Sequence, residues 1–261
     1  MDEERIKLFW NEDVAKLVRK GWDPPLAYID RILTLLRKKN VTVTNDDLRE
    51  LGARVHLFPG VPDLIPRLET FVNSRKEFQE AFVRIEFYVI SGGFEEIIRG
   101  TAIADHAKDI FGCIFAERLG KIVPKSIVTF TEKTKFLYAI NKGITGLELR
   151  RNPFRVNDVI APEKRRIPFS NMIYVGDGPT DIPCFTAVQT NHGKTVGILK
   201  HIRKADKTIV DKRRAWAIAK GERTTLGPFQ PDYRDNSDLC INLKLQIERV
   251  GLDISIAAKR E

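Results

Sequence analysis

Two carboxylates, Asp177 and Asp181, stand four residues apart in the stretch IYVGDGPTD, directly after the apolar run Ile173-Tyr174-Val175. Gly176, Gly178 and Pro179 loosen the backbone between and around them. A buried strand that breaks into such a turn delivers both side chains to one strand end. Paired carboxylates held there suit a hard divalent cation, which takes carboxylate oxygen together with water and substrate oxygen. A helix entered at Ile182-Pro183 could use one aspartate as its cap. A cap accounts for one of the two and leaves the pair after a buried strand unexplained.

The elements that must position this pair are legible along the chain. Phe9, Trp10, Val14, Leu17 and Val18 recur at helical spacing, and Leu26, Ile29, Ile32, Leu33 and Leu36 form a second apolar face after the GWDPP break. Thr44 or Asn45 then offers a helix cap. Residues 1–55 therefore read as a small helical unit with no convincing strand. From FPGVPDLIPRL onward the pattern changes. Pro62 suits a first helical turn, with Leu64, Ile65, Leu68 and Phe71 as its buried stripe. FYVI, ending in Ser91-Gly92-Gly93, IYV and TVGIL are short apolar strands alternating with helices. That alternation predicts an α/β core with a mainly parallel sheet covered on both faces, in which ligands collect at the carboxyl ends of the strands. Residues 56–261 form this core, with a proline-bearing, poorly periodic excursion at about 143–170.

Three features line up in order: a hydroxyl and two glycines after FYVI, Lys133 opening a helix with Phe136, Leu137 and Ile140 on its core face, and GDGPTD after IYV. Their order and type resemble the haloacid dehalogenase superfamily of phosphohydrolases from about Phe58 to about Leu199. Within it, the small N-terminal cap and the spacing after Lys133 look most like the phosphoserine phosphatase group. GDGPTD is the specific signal. The resemblance implies a Rossmann-like parallel sheet under a helical cap, a small phosphomonoester as substrate, and Mg2+ as cofactor. It implies that Ser91, with the backbone N–H groups of Gly92 and Gly93, and Lys133 bind the phosphate. Asp177 would then be the metal ligand, and Asp181 would hold the loop, the metal's waters or Lys133. Phosphoryl transfer needs in-line positioning and charge neutralisation above all, and these residue types supply both. Lys135 competes with Lys133, which is preferred because its offset from Leu137 and Ile140 places it near the helix start.

The first motif of that family, an Asp-x-Asp after a buried strand, supplies the nucleophile and the general acid. No Asp-x-Asp occurs anywhere in the chain. Two accounts follow: a shortened phosphatase lacking turnover as given, or a non-catalytic phosphate-ligand-binding or scaffold protein built on the same fold. The missing central strand would lie between the strands ending at Ser91 and at Asp177. Its loss would leave apolar edges with unpaired backbone groups, so the chain is expected to be poorly stable unless another segment fills the gap.

Composition sets the outer bounds. The 261 residues are long enough for a full core, and their 43% apolar and 30% charged content is that of a globular protein. No apolar run approaches the ~18–20 residues of a membrane helix. The acidic start MDEERIKLFW does not read as a secretory signal. Cys113, Cys184 and Cys240 are scattered and match no metal spacing, which points to a reducing compartment and a cytoplasmic protein. The net charge of +9 is concentrated in Lys194–Arg214. Without an interleaved aromatic platform, this basic region reads as a solvated face, and nucleic acid is the lesser alternative. His56, His106, His192 and His201 show no ligand spacing.

Overall fold

The computed structural model describes residues 3–199 and 224–260. Most of the basic stretch, from Lys200 to Arg214, lies outside the described residues, as does His201. The chain forms two compact units: Met1–Val55 with Val89–Ala104 and Ile110–Glu132, and His56–Tyr88 with Asp105–Asp109 and Lys133–Glu261. The unit that begins with the N-terminal helices thus also takes up two later segments.

In the first unit, helices Pro24–Lys38 and Asn45–Gly52 follow a helical run that passes through a π-turn at Phe9–Val14. The apolar period of the longer helix buries Ala27, Ile29 and Leu33. Of the two candidate caps, Thr44 is the one used. Its hydroxyl accepts from the N–H of Asp47, 3.1 Å, while Asp47 accepts from the N–H of Thr44, 2.8 Å. Asn45 instead ties the helix start outward: its amide nitrogen donates to the Phe115 carbonyl, 3.2 Å, and its N–H to Glu117, 2.8 Å.

Strands β1 (Tyr88–Phe94), β2 (Asp109–Arg118) and β3 (Lys121–Ser126) make a three-stranded sheet in that order. β2 and β3 pair antiparallel. Leu119 and Gly120 turn the hairpin with φ of 49° and 68°, the two left-handed positions that a tight two-residue loop requires. Pro124 lies in β3, the last strand of the order, where a missing N–H costs no ladder bond.

The FYVI segment differs from its expected place. It belongs to this sheet with an antiparallel hairpin, and not to one parallel sheet with IYV and TVGIL. It also does not end at Ser91. The strand runs through Ser91-Gly92-Gly93 to Phe94, and the helix Glu95–Arg99 starts immediately after. The backbone stays extended there because its polar groups are used: the Gly92 carbonyl accepts from the Tyr28 hydroxyl and from the Cys113 thiol.

In the second unit, β4 (Ile173–Gly176), β5 (Lys194–Ile198) and β6 (Leu226–Phe229) form a parallel sheet in that order. The twofold alternation of a strand explains its two covered faces. Ile173 and Val175 of β4, with Val196 and Ile198 of β5, pack against Leu239 and Leu243 of the C-terminal helix Asp238–Ala258. Tyr174 points the other way, its ring meeting Phe185 of the helix Ile182–Thr190 edge-on at 5.6 Å. Phe78, Leu68 and Val72 extend the core against Cys240 and Ile247 of the same C-terminal helix. Among the described residues the architecture is α/β, with two small sheets. β1 and β4 each stand at the end of their strand order, paired on one side only among the described residues.

The helix after FPGVP begins at Leu64, so Pro62 precedes its first turn; Leu64, Ile65 and Leu68 of the expected stripe are buried, while Phe71 is half-buried and Val72 is buried instead. The excursion after residue 143 contains a capped helix, Gly146–Arg151, and three single turns. Side chains fix its path: the Lys142 ammonium donates to the carbonyls of Val156 and Asp158, and the Asn141 amide donates to Ile167. No helix among the described residues is long and apolar enough to cross a membrane.

Candidate functional site

The centre of the site is a buried ion pair. Lys133, in the first turn of helix Phe130–Lys142, donates to Asp181 Oδ1 at 2.6 Å and to the Thr180 hydroxyl at 3.2 Å. Both charged residues are buried, 7% and 3% exposed, so the pairing compensates two desolvated charges. The helix places Lys133 there because Phe136, Leu137 and Ile140 bury the face one turn on. Lys135, one of the two lysines the sequence offered, instead lies over the Phe136 ring at 5.0 Å.

Asp181 is committed on both oxygens. Oδ1 also accepts from the Tyr174 hydroxyl at 2.8 Å, and Oδ2 from the N–H groups of Asp177, 3.0 Å, and Gly178, 3.1 Å. The second carboxylate therefore folds the loop back on itself, which is how a four-residue spacing becomes a rigid turn. Gly176 makes room for it: a Cβ there would sit 2.8 Å from Asp181 Cβ and Cγ. Asp177, held by the backbone of this turn, is exposed. Burial, then the nearby Asp177 carboxylate, pushes the Tyr233 hydroxyl up to about 12. Burial raises the Tyr174 hydroxyl as well, with the Asp181 charge adding to it, so Tyr174 stays a neutral donor. Burial likewise lifts the Cys184 thiol to about 11.

Tyr174 was not among the residues singled out by type. The signal was its position, in the alternate register of IYVGD, which aims it away from Ile173 and Val175. Replacing it by phenylalanine removes one donor to a charged acceptor and keeps the ring. Tyr174→Phe should lower unfolding free energy by about 1.5 kcal/mol, read in urea, with Lys133 still neutralising the carboxylate. No change in the urea midpoint would show that the hydroxyl does not hold Asp181.

Ser91, Gly92 and Gly93 lie in the first unit. There the Ser91 hydroxyl accepts from the N–H of Gly93 at 3.0 Å, a local side-chain turn inside an extended strand.

Among the described residues no group of three His, Cys, Asp or Glu side chains is arranged to hold a metal. Magnesium asks for less, since one or two carboxylates with water and phosphate oxygens satisfy it. With Asp181 engaged by four donor contacts including Lys133, Asp177 is the carboxylate of the pair that fits this demand.

No family model matches the chain, and no solved structure does. A curated protein of Borreliella burgdorferi, named only as an uncharacterized protein, is 28% identical over 195 residues. The similarity covers 68% of this chain and 62% of that protein, so the chain spans about three fifths of the relative it matches.

Proposed function

We propose that the turn after β4 binds the phosphoryl group of a small phosphomonoester together with Mg2+, in a protein of the haloacid dehalogenase type. The observation that carries this reading is the buried Lys133–Asp181 pair beneath the turn that presents Asp177 at the end of a parallel strand. Strand ends of such sheets are where ligands bind. Lys133 contributes fixed positive charge near the phosphate. Asp181 and Tyr174 keep that charge and the turn in place, and the Asp177 carboxylate holds the cation. The magnesium ion would neutralise developing charge on the phosphate oxygens.

The chain carries no Asp-x-Asp, and this favours binding without turnover as the activity of these 261 residues. Among the described residues β4 is paired on one side only, and the resemblance puts the strand bearing that motif beside it.

Titration calorimetry of the chain with inorganic phosphate, with and without Mg2+, tests the proposal. Binding should require the cation, and Asp177→Asn should weaken it at least tenfold, about 1.4 kcal/mol, without lowering the melting temperature. Phosphate release from p-nitrophenyl phosphate should stay at background. Equal phosphate affinity in the wild type and in Asp177→Asn would overturn the assignment.

A further inference from the structure

The C-terminal helix Asp238–Ala258 is apolar on two faces. Leu239, Cys240, Leu243, Ile247 and Val250 are buried in the second unit's core. On the outer side Ile241, Leu245, Leu252 and Ile256 are 45%, 52%, 41% and 51% exposed. At 3.6 residues per turn these four fall within about 60° of one another, along about 22 Å of helix. A helix apolar all round is normally covered on both sides.

The spacing of the outer stripe is four, seven, four. That pattern reads the same in both directions. A second copy of the helix, laid antiparallel about a twofold axis near residues 248 and 249, sets Ile241 opposite Ile256 and Leu245 opposite Leu252. A twofold interface demands this kind of self-complementarity. The exposed charges at the ends agree. Asp238 at the start of one helix meets the Lys259 and Arg260 end of the other, at both ends of the pair. Two contacts oppose association: Arg249, exposed beside the centre of the stripe, and Glu248, as far round on its other side and paired with Arg75, each face their own copy.

We infer that this face is a homodimer interface, with the C-terminal helices of two chains packed antiparallel. The inference is independent of the phosphate site.

Mixed cross-linking of full-length chains tests the register. Cys113, Cys184 and Cys240 are buried, so a cysteine introduced in the stripe is the exposed thiol. Under mild oxidation, Leu245→Cys and Leu252→Cys chains should form a disulfide dimer when mixed, and neither should do so alone. Sedimentation of the wild type should show a species of twice the 29.8 kDa chain mass that dissociates on dilution. Leu245→Glu should abolish it at an unchanged melting temperature, Arg249→Ala should increase it, and Asp238→Lys should weaken it. Adding Lys259→Asp to Asp238→Lys should restore it. A wild-type monomer at every concentration would overturn the inference, as would cross-linking of each single variant with itself. Capture of some other protein by this face, with the pure chain monomeric, would do the same.

Discussion

Lys133→Met is expected to destabilise the protein by about 3–5 kcal/mol, read as a loss of urea midpoint at constant slope. Methionine nearly matches the length of lysine and fills the space, so packing changes little. What changes is charge. Asp181, 3% exposed, would keep the Tyr174 hydroxyl and two backbone N–H donors but lose its cation. A buried pair contributes modestly as a whole, yet breaking it from one side strands a charge in a poorly solvated place. The double variant Lys133→Met with Asp181→Asn removes both charges and should recover about 2 kcal/mol of the loss. Additive losses would mean that the two residues do not act as a pair. The single variant should also bind no phosphate, which separates it from Tyr174→Phe, where the lysine remains.

Gly52→Ala should cost about 3 kcal/mol or more, although local preference points the opposite way. Alanine inside a helix is favoured over glycine by about 1 kcal/mol. At Gly52, the last residue of helix Asn45–Gly52, a Cβ would lie 2.1 Å from the Ile97 carbonyl oxygen and 2.6 Å from Gly100 Cα. Those are backbone atoms, and no side-chain rotation relieves them. Two helices of the first unit approach through paired glycines, and an added methyl must drive them apart. The steric term is several times the propensity term and sets the sign. Thermal unfolding by circular dichroism measures it, and a melting temperature at or above that of the wild type would refute the close approach.

How much of this could be read beforehand depended on whether the signal was local. IYV and TVGIL were visible as buried parallel strands because each is a short apolar run next to a breaker, and their β4–β5 pairing follows. FYVI carries the same signature yet lies in the other sheet. A strand's partners are set by distant segments, here the β2–β3 hairpin, and DIFGCIFAER with its Leu119-Gly120 turn was the sign of that hairpin. The glycines after Ser91 resembled a turn because glycine permits one, while the structure uses them in an extended strand beneath Tyr28. A cap at Thr44 or Asn45 was legible because it is made within four residues, and the structure settles it as a capping box on Thr44. Tyr174 was hidden because hydrogen bonding to a residue seven positions on, across a turn, has no sequence period. The C-terminal helix has a plain start signal in Ser237, whose hydroxyl accepts from the Cys240 N–H, and its two apolar faces separate only once the buried one is known.

The central claim is that the turn from Gly176 to Asp181 receives a phosphate and a magnesium ion beside Lys133. Its most direct test is a nitrogen-15 amide spectrum of the chain, recorded while Mg2+ and inorganic phosphate are added together. The account predicts saturable shifts at the amides of Asp177, Gly178 and Thr180, lost in Lys133→Met and in Asp177→Asn. Shifts confined to other parts of the chain, or none at saturating phosphate and magnesium, would contradict it.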